Sequence, residues 1–306
     1  MLEADSQTMP GANGTGRFAN VKKALRARRT CRNTIVRAGI AAITAAYRMA
    51  LFLVSAQYRS VTLLKVFKRG SVHQTTSDTW MDRYPRVFTA CQAYFGDRKD
   101  LNILSYGCST GEEVLTLRRY FPNAFIIGAE INRRSLAICR KHKVDERIAF
   151  VYSERAGIAQ RGPFDAIFCM AVLQSTPQAI VEQGITNLKQ IYPFEKFDRQ
   201  VAELDELLTI GGLFVIGHTQ YRFHDASVAS KYAPLATVEP DADVRPRFGR
   251  NSERLTEGDA APLAPIFVKT APGARPDYDD LPQPGIRGTS NGSRKARGNP
   301  PTPVDT

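Results

Sequence analysis

Residues 101–113 read Leu-Asn-Ile-Leu-Ser-Tyr-Gly-Cys-Ser-Thr-Gly-Glu-Glu. The apolar start is typical of a buried strand, and Gly107 and Gly111 are typical of a tight turn. The two carboxylates that follow suit the first turn of a helix. A strand, a glycine-bearing turn and a helix in this order form the nucleotide site of many α/β proteins, so the sequence predicts a ligand site here.

The charge of this turn indicates which nucleotide it suits. Glu112 and Glu113 would repel a pyrophosphate, whereas they would attract an ammonium or a sulfonium group. The third glycine of the dinucleotide fingerprint is also missing. These features disfavour NAD and favour S-adenosylmethionine, which carries an adenosine and two positive groups but no phosphate. The alternative is that the two acids only complement the helix dipole.

A second acid follows at the expected spacing. The strand-like run 124–129 ends in Glu130, about 20 residues beyond the turn, where nucleotide-binding units place the acid that binds ribose hydroxyls. A helical pattern over 133–142 comes next. We therefore expect Glu130 to bind the ribose. The alternative is a solvated strand end.

The pattern of strand and helix continues along the chain. Further strands are predicted over 147–152, 164–173 and 212–217, and a helix over 197–208 is expected to stop at Gly211 and Gly212. This alternation predicts an α/β fold with a doubly wound, mostly parallel, Rossmann-like sheet. The ligand then lies beyond the carboxyl ends of the strands, with Ser153 and the 169–170 dipeptide on the same rim as the turn.

Three segments, 107–113, 164–173 and 207–220, resemble the signature segments of class I S-adenosylmethionine-dependent methyltransferases. Within that superfamily they are most similar to the chemotaxis-receptor (protein-glutamate) methyltransferases. The resemblance covers residues 101–220, and the three segments are specific in combination rather than singly.

The resemblance implies roles for individual residues. Glu112 or Glu113 would hold the methionyl amino group, Glu130 the ribose, and the strand end at 169–172 the adenine or the sulfonium. The complete set of donor-binding residues predicted in this way is Gly107, Ser109, Thr110, Gly111, Glu112, Glu113, Glu130, Ile131, Asn132, Ser153, Cys169, Met170 and Val172.

The sequence departs from the receptor-methylating group at the rim. Met170 and Ala171 stand where that group has an Arg-Asn pair, and Gln220 stands where it has a glutamate. An apolar rim suits a buried carboxylate poorly, because such a group needs compensating hydrogen-bond donors. We therefore expect a small or lipophilic acceptor rather than a receptor glutamate, although a protein acceptor stays open.

A few residues are candidates for contact with the reacting groups. His218 and Tyr221 follow the strand over 213–217, and either could serve as a base if the acceptor is a hydroxyl or an amine. Thr79 and Arg83 are the counterparts of a Thr and an Arg that touch donor and substrate in the resembling family. The alternatives are structural: hydrogen bonding at the strand end for His218 and Tyr221, and a surface cation for Arg83.

The predicted organisation has four parts. Residues 1–16 are expected to be disordered, 17–97 to form a basic helical N-terminal extension, 98–270 to form the methyltransferase domain, and 271–306 to form a disordered tail. The five cysteines are scattered, which disfavours a disulfide framework and indicates a reducing cytoplasm. The four histidines have no metal-ligand spacing, so we expect no metal site.

The positive charge is concentrated near the N-terminus. Thirteen Lys and Arg residues, and no acidic residue, lie between Ser6 and Ser77, which accounts for the net charge of +12. Such an arm predicts an anionic partner: an acidic membrane face or, less favoured, nucleic acid. The predicted location is therefore cytoplasmic, and a peripheral position at the inner face of a membrane stays open.

The apolar run 38–56 lies within this basic region and has Arg48 at its middle. A charge at the bilayer centre costs ~2.5–3.5 kcal/mol, which disfavours a simple membrane span. We expect a helix packed on the catalytic domain, with an interfacial helix and a true span as alternatives.

Three functional classes remain open from the sequence. The first is an S-adenosylmethionine-dependent methyltransferase. The second is a catalytically silent donor-binding scaffold, which the Met170-Ala171 departure permits. The third is a nucleic-acid-binding protein, with an RNA methyltransferase combining the first and third classes.

Overall fold

The computed structural model describes residues 34–68, 70–76, 78–236, 246–256 and 265–271. The predictions of disorder for 1–16 and for the tail after Ala271 lie outside these residues, as does the basic stretch before Thr34.

The described chain alternates helices and strands as the sequence predicts. The helices are α1 (Thr34–Val54), α2 (Ala56–Phe67), α3 (Pro85–Phe95), α4 (Glu112–Tyr120), α5 (Arg133–Cys139), α6 (Arg155–Ala159), α7 (Pro177–Glu182) and α8 (Phe194–Asp205). The strands are β1 (Asn102–Tyr106), β2 (Phe125–Glu130), β3 (Ile148–Tyr152), β4 (Phe164–Met170), β5 (Leu208–Gly217), β6 (Tyr232–Ala236) and β7 (Ile266–Lys269).

The seven strands form one sheet in the order β3-β2-β1-β4-β5-β7-β6. Strands β1 to β5 are parallel, and β7 pairs antiparallel with both β5 and β6. The predicted doubly wound, mostly parallel sheet is therefore confirmed. The sequence pattern did not predict the two antiparallel strands, which are short and far apart in the chain.

The strand order reverses next to β1, and this reversal positions the site. Strand β1 pairs with β2 on one side, where Ile103 faces Ile126, and with β4 on the other, where Ile103 faces Ala166. Helices leave this point toward opposite faces of the sheet, so a crevice opens beyond the carboxyl ends of the strands. Gly107, Glu130 and the end of β4 at Met170 all border it.

Apolar side chains cover both faces of the sheet. On one face α8 buries Phe197, Val201 and Leu204, the stripe that the sequence predicts for this helix. On the other face α3 and α4 pack against the sheet, and the Phe88 and Phe168 rings are 5.7 Å apart. Helix α3 thus shares a core with the sheet, although the predicted boundary at residue 97 assigns it to the extension.

The prediction for the end of α8 is wrong. The helix ends at Asp205, and Leu208 already belongs to β5, where it pairs with Phe164 of β4. The register between β4 and β5 shifts just beyond this pair. Gly212 is needed at the irregularity, since a Cβ there would lie 2.9 Å from the backbone oxygen of Asp165. The two glycines therefore shape a strand bulge rather than a helix stop.

The expectation that the apolar run 38–56 packs on the catalytic domain is also wrong. None of the 21 residues of α1 is buried. Helix α1 contacts α2, and α2 in turn contacts α5 of the domain. By length and composition α1 meets the requirement for a membrane-crossing helix, a test that core helices and signal sequences also pass. Helix α1 is no core helix, because its apolar side chains are exposed.

Candidate functional site

The backbone of the glycine turn is tied to β2. The amides of Gly107 and Cys108 both donate to the carbonyl of Ala129, at 2.8 and 3.1 Å. The next amide, that of Ser109, donates to Oε2 of Glu130 at 2.9 Å. These three N–H groups are therefore not available to a phosphate, which explains in structural terms why the turn is unsuited to a pyrophosphate.

Gly107 has a positive φ of +75° and lies against the loop after β4. A Cβ at this position would approach the Cγ2 atom of Val172 to 2.6 Å. Only glycine meets both requirements without strain. The close contact joins the turn after β1 to the loop after β4 at the floor of the crevice.

Glu130 ends β2 and holds the turn in place. Its Oε2 accepts the Ser109 amide, and its Oε1 accepts the Asn132 amide at 2.6 Å. Burial raises the pKa of Glu130, while the hydrogen bonds from these backbone amides oppose that shift. The carboxylate is fixed in orientation, and each of its oxygens has a further lone pair for a ligand hydroxyl.

Glu113 lies in the first turn of α4 and faces the same crevice. Its Oε1 accepts a hydrogen bond of 2.7 Å from the Ser105 hydroxyl of β1. Burial raises the pKa of Glu113 to about 7, against the opposing effects of Ser105 and of the Arg83 guanidinium. A cationic ligand group beside Glu113 would restore the charged form.

These residues line one pocket, which brings together most of the predicted site. Ten of the sixteen predicted site residues line it: Arg83, Gly107, Ser109, Glu113, Glu130, Ile131, Asn132, Ser153, Met170 and Val172. Gly107 and Glu130 are thus within reach of one ligand, as the sequence predicts.

Four predicted donor-binding residues lie outside the pocket lining. Thr110 and Glu112 bond to each other at the start of α4. A Cβ on Gly111 would meet the ring of His142 rather than the crevice. Cys169 is fully buried within β4. These residues build the turn and the strand, and their direct contact with a ligand stays a prediction.

Tyr221 is misplaced as a catalytic residue. The side chain is fully buried, and its hydroxyl donates to the backbone oxygen of Tyr192 at 2.5 Å and lies 3.0 Å from Oγ of Ser252. Burial also raises the pKa of Tyr221 to about 12. The side chain therefore packs in the core on the α8 face and does not line the pocket.

His218 likewise does not line the pocket. Its ring stacks on Tyr84, with centroids 5.1 Å apart, and its φ is +55°. Tyr84 does line the pocket, so His218 supports a wall residue from behind. A role for His218 as a base stays a prediction.

The segment 71–84 forms a second wall that sequence reasoning largely missed. His73, Gln74, Trp80 and Tyr84 all line the pocket opposite the glycine turn. No periodicity marked this segment, although Trp80 is the only tryptophan of the chain. The signal that pointed to it was the family resemblance at Thr79 and Arg83, both of which line the pocket.

The histidine of this wall is neutral. His73 Nδ1 lies 2.7 Å from the Tyr192 hydroxyl, and Nε2 lies 3.3 Å from Oε1 of Gln200. Burial lowers the pKa of His73 to about 4, and the nearby Lys196 ammonium adds to the effect. With both nitrogens engaged and a low proton affinity, His73 is a poor general base near neutral pH.

Arg83 links the two walls. Its guanidinium stacks over Trp80 at 4.3 Å from the ring centroid and lies 5.2 Å from the Tyr84 ring. One Nη1 proton goes to the carbonyl of Asp78 at 2.5 Å. The aromatic contacts fix the cation at the pocket, where its charge also lowers the pKa of Glu113.

Residues 97–243 match a family model described as a methyltransferase domain. This segment is therefore similar to a methyltransferase domain. The match covers β1 to β6 and the glycine turn, and it is to the methyltransferase domain in general, so the finer resemblance to chemotaxis-receptor enzymes stays a prediction. No curated protein matches the chain in sequence.

Solved structures with a similar chain trace include three methyltransferases. The plantazolicin methyltransferase BpumL in complex with SAH is 12% identical, with a TM-score of 0.34, and the match covers 66% of this chain and 62% of that one. CalS10 from Micromonospora echinaspora, an amino pentose methyltransferase bound to SAM, is 19% identical, with a TM-score of 0.32 and coverages of 50% and 55%.

The third, a precorrin-6y C5,15-methyltransferase from Geobacter metallireducens GS-15, is 16% identical, with a TM-score of 0.32 and coverages of 46% and 65%. The chain thus spans less than two thirds of the length of each of these proteins. At such low scores the likeness carries no inference about a substrate.

The chemistry of the pocket lining fits S-adenosylmethionine. The Ser109 hydroxyl is buried at the pocket and has no hydrogen-bond partner among the described residues. A ligand with polar groups would satisfy it. Two carboxylates, Glu113 and Glu130, suit the ammonium and ribose hydroxyls of the donor. No group of three or more potential metal ligands occurs within the described residues.

Proposed function

We propose that this protein is an S-adenosylmethionine-dependent methyltransferase whose acceptor is a small, lipophilic molecule. The observation that carries the proposal is the Glu130 carboxylate, held by the amides of Ser109 and Asn132 at the rim of a turn in which the amides of Gly107 and Cys108 are already bonded. Such a turn offers acceptors for hydroxyls and cations in place of donors for phosphate.

The donor half of the pocket is the β1–β2 side. Glu130 would accept the ribose hydroxyls, the unpartnered hydroxyl of Ser109 would add a further hydrogen bond, and Glu113 would pair with the methionyl ammonium. When bound, the donor supplies an electrophilic methyl group on a positively charged sulfur. Met170 and Val172, at the end of β4, would then surround the reacting centre with apolar surface.

The chain's contribution to methyl transfer is orientation and exclusion of water. Phe88 and Tyr84 are buried beneath the pocket, while Met170 and Val172 close the β4 side. Holding two reactants in line can supply several kcal/mol, up to about 7–11 for ideal alignment. Displacement on a sulfonium needs no acid to assist the leaving group, because the sulfur leaves neutral.

The pocket offers no strong base among its described residues. The pKa of His73 is lowered to about 4, and burial raises the pKa of Tyr106 far above its usual range, although a hydrogen bond with Ser153 opposes the shift. Glu113 is committed to the donor in this proposal. The acceptor atom should therefore already be nucleophilic near neutral pH, as an ionised or unprotonated group is.

The acceptor half favours an apolar or aromatic molecule. Trp80 is 56% exposed beside Arg83, and Leu64, Tyr84 and Phe88 add apolar surface to the same wall. Arg83 would pair with an anionic group on such a molecule. In the same wall, Oε1 of Gln74 is buried and has no partner among the described residues, so it would accept a ligand N–H or O–H.

The test is a labelled methyl-transfer assay run in parallel on two acceptor sources. We expect label in organic-extractable small products from a metabolite extract, and none as base-labile methyl ester on chemotaxis-receptor cytoplasmic domains. Methyl ester on the receptors would overturn the acceptor class. Donor binding without turnover on any acceptor would favour the silent scaffold instead.

Glu130→Ala and its control, Glu112→Ala, form a matched pair in this assay. Glu130→Ala should lower transfer at subsaturating donor concentration, because donor binding weakens, whereas Glu112→Ala should leave transfer intact, since Glu112 lies outside the pocket. Equal activity of both variants would mean that this pocket does not bind the donor in the observed transfer.

A further inference from the structure

We infer that the outer face of α1 inserts into the interface of an anionic lipid bilayer and docks the enzyme on that membrane. Here the outer face means the side of α1 turned away from α2, which includes Ile43, Tyr47, Leu53 and Val54. This inference goes beyond the proposed methyl transfer and does not depend on it.

The two sides of α1 differ in charge. At 100° per residue, Arg37, Thr44 and Arg48 fall on one side, and these three residues line the groove between α1 and α2 together with Tyr58 and Thr62. The residues of the outer face lie about 80–160° away around the helix and carry no charge. The helix is therefore amphipathic, with its basic side toward the protein.

The outer face is exposed rather than packed. Ile43, Leu53 and Val54 have 63%, 67% and 81% of their surface accessible. Large apolar side chains left exposed along one helix face are typical of an interaction site in a folded protein.

Helix α1 is held to the domain by its other side. Nη1 of Arg59 in α2 lies 3.1 Å from the backbone oxygens of both Phe52 and Leu53, so it caps the C-terminus of α1. Ser60 of α2 is 2.6 Å from Oδ1 of Asn132, the residue that caps α5 beside Glu130. The inner side of α1 is thus committed to α2, and α2 is anchored at the pocket rim.

The charge of the region selects the occupant. The described residues of α1 and the α2 region carry Arg37, Arg48, Arg59, Lys65 and Lys68, and the sequence has no acidic residue from 7 to 77. Each Lys or Arg near an anionic bilayer adds about 1 kcal/mol of attraction. An apolar helix face combined with a purely basic surrounding is the pattern of an interfacial membrane anchor.

An interfacial position also fits better than a span. To cross the bilayer, α1 would have to leave α2 and lose the Arg59 cap, with Arg48 near the bilayer centre at a cost of ~2.5–3.5 kcal/mol. If it lies in the interface, the helix keeps its packing on α2 and its Arg59 cap. Arg37 and Arg48 can then extend to the headgroups.

The experiment is sedimentation of the full chain with vesicles of phosphatidylcholine alone and of phosphatidylcholine mixed with phosphatidylglycerol. We expect binding to the mixed vesicles that weakens as salt rises, and little binding to phosphatidylcholine alone. Equal binding to both vesicle types, or binding to neither, would overturn the inference.

Ile43→Glu and Ile210→Glu form a matched pair. Ile43 is 63% exposed on α1, and Ile210 is 62% exposed on β5. Ile43→Glu should lower vesicle partitioning about tenfold, while Ile210→Glu should leave it unchanged; equal partitioning of the two variants would contradict the inference. Both variants should keep the thermal denaturation midpoint of the parent chain, which shows that the domain is folded.

Two further outcomes would replace the proposed occupant. Concentration-dependent dimers that Ile43→Glu disrupts, without vesicle binding, would assign the outer face to a second copy of the chain. Resistance of the membrane-bound protein to alkaline carbonate extraction would assign α1 to a span.

Discussion

The two walls of the pocket are built in different ways. The donor wall uses residues 107–109, Glu113 and 130–132, which follow the ends of the adjacent strands β1 and β2. It is held by backbone amides and by the carboxylates of Glu130 and Glu113. The opposite wall uses residues of 71–84 and of 170–178, two segments that are about a hundred residues apart in the chain. The donor wall thus presents two carboxylates, and the opposite wall combines aromatic rings with polar side chains such as Gln74 and Arg83.

This difference indicates a division of labour. The methyl donor is the same in every reaction cycle, and the wall that would bind it is built from residues close together in the sequence. A wall assembled from distant segments can change with little cost to the sheet, because loops tolerate substitution better than the elements that they connect. The predictions below perturb the two walls separately.

The largest effect is expected for Gly107→Ala. The new Cβ would approach Val172 Cγ2 to 2.6 Å at a φ of +75°. We expect a loss of about 2–5 kcal/mol in the free energy of unfolding, from overpacking and from the left-handed conformation together. Chemical denaturation measures this loss, and S-adenosylhomocysteine affinity should fall with it.

Gly184→Ala is the control for backbone strain. Gly184 has a similar φ of +58°, but a Cβ added there would have no neighbour within 4 Å. The variant should therefore lose only about 1–2 kcal/mol. If both variants lost the same free energy of unfolding, the close contact between the turn and Val172 would not contribute to the effect of Gly107→Ala.

Glu130→Ala should have the next largest effect. We expect S-adenosylhomocysteine binding to weaken by about 1–3 kcal/mol, because hydrogen bonds to a charged group are lost. Isothermal calorimetry measures this change against Glu112→Ala, whose affinity should stay within about twofold. A Glu130→Ala variant with parental affinity would remove Glu130 from the site.

The donor wall could be predicted from the sequence because its signals are local. Two glycines, two acids and the spacing to Glu130 lie within thirty residues and impose their geometry through backbone bonds. The same local reasoning failed at Gly211 and Gly212, since a strand bulge depends on the partner strand and not on the preceding helix.

The opposite wall could not be predicted, because tertiary contacts alone bring it to the site. His73 reaches the pocket through contacts with Tyr192 and Gln200, more than a hundred residues away. His218 and Tyr221 follow β5 as the pattern requires, yet they turn behind the pocket and into the core. Strand-end position indicates the correct edge of the sheet but not which side chain faces the ligand.

A smaller effect is expected from pH. The pKa of Glu113 is raised by burial to about 7. If the donor's cation pairs with ionised Glu113, S-adenosylmethionine affinity should rise about tenfold between pH 6 and pH 8, as a shift of one unit corresponds to a factor of ten. Calorimetry across this range measures the rise, and Glu113→Gln should lack it.

Without ligand, the Glu113 carboxyl makes the free energy of unfolding fall as pH rises, whereas donor affinity is expected to rise. Because the folded pKa of Glu113 lies above its usual value of 4.5, the folded state binds more protons between these two values. This contribution is therefore fully present below pH 4.5 and is lost as pH rises through about 7. Thermal denaturation should show a smaller pH dependence over this window in Glu113→Gln; an unchanged dependence would contradict the raised pKa.

The smallest effect is expected for Arg83→Met, which keeps an apolar stem against Trp80. S-adenosylhomocysteine affinity at pH 8 should stay within about threefold, since Arg83 belongs to the opposite wall. Because the Arg83 cation lowers the pKa of Glu113, the midpoint of the pH dependence should move upward. A large loss of affinity at every pH would place Arg83 in the donor half instead.

The most direct test of the central claim is calorimetry of the full chain with S-adenosylmethionine, S-adenosylhomocysteine and NAD in parallel. The bonded amides of Gly107, Cys108 and Ser109, with Glu130 at the rim, predict that the first two ligands bind at one site and that NAD does not. Binding of NAD, or failure of both adenosyl ligands to bind, would contradict the account.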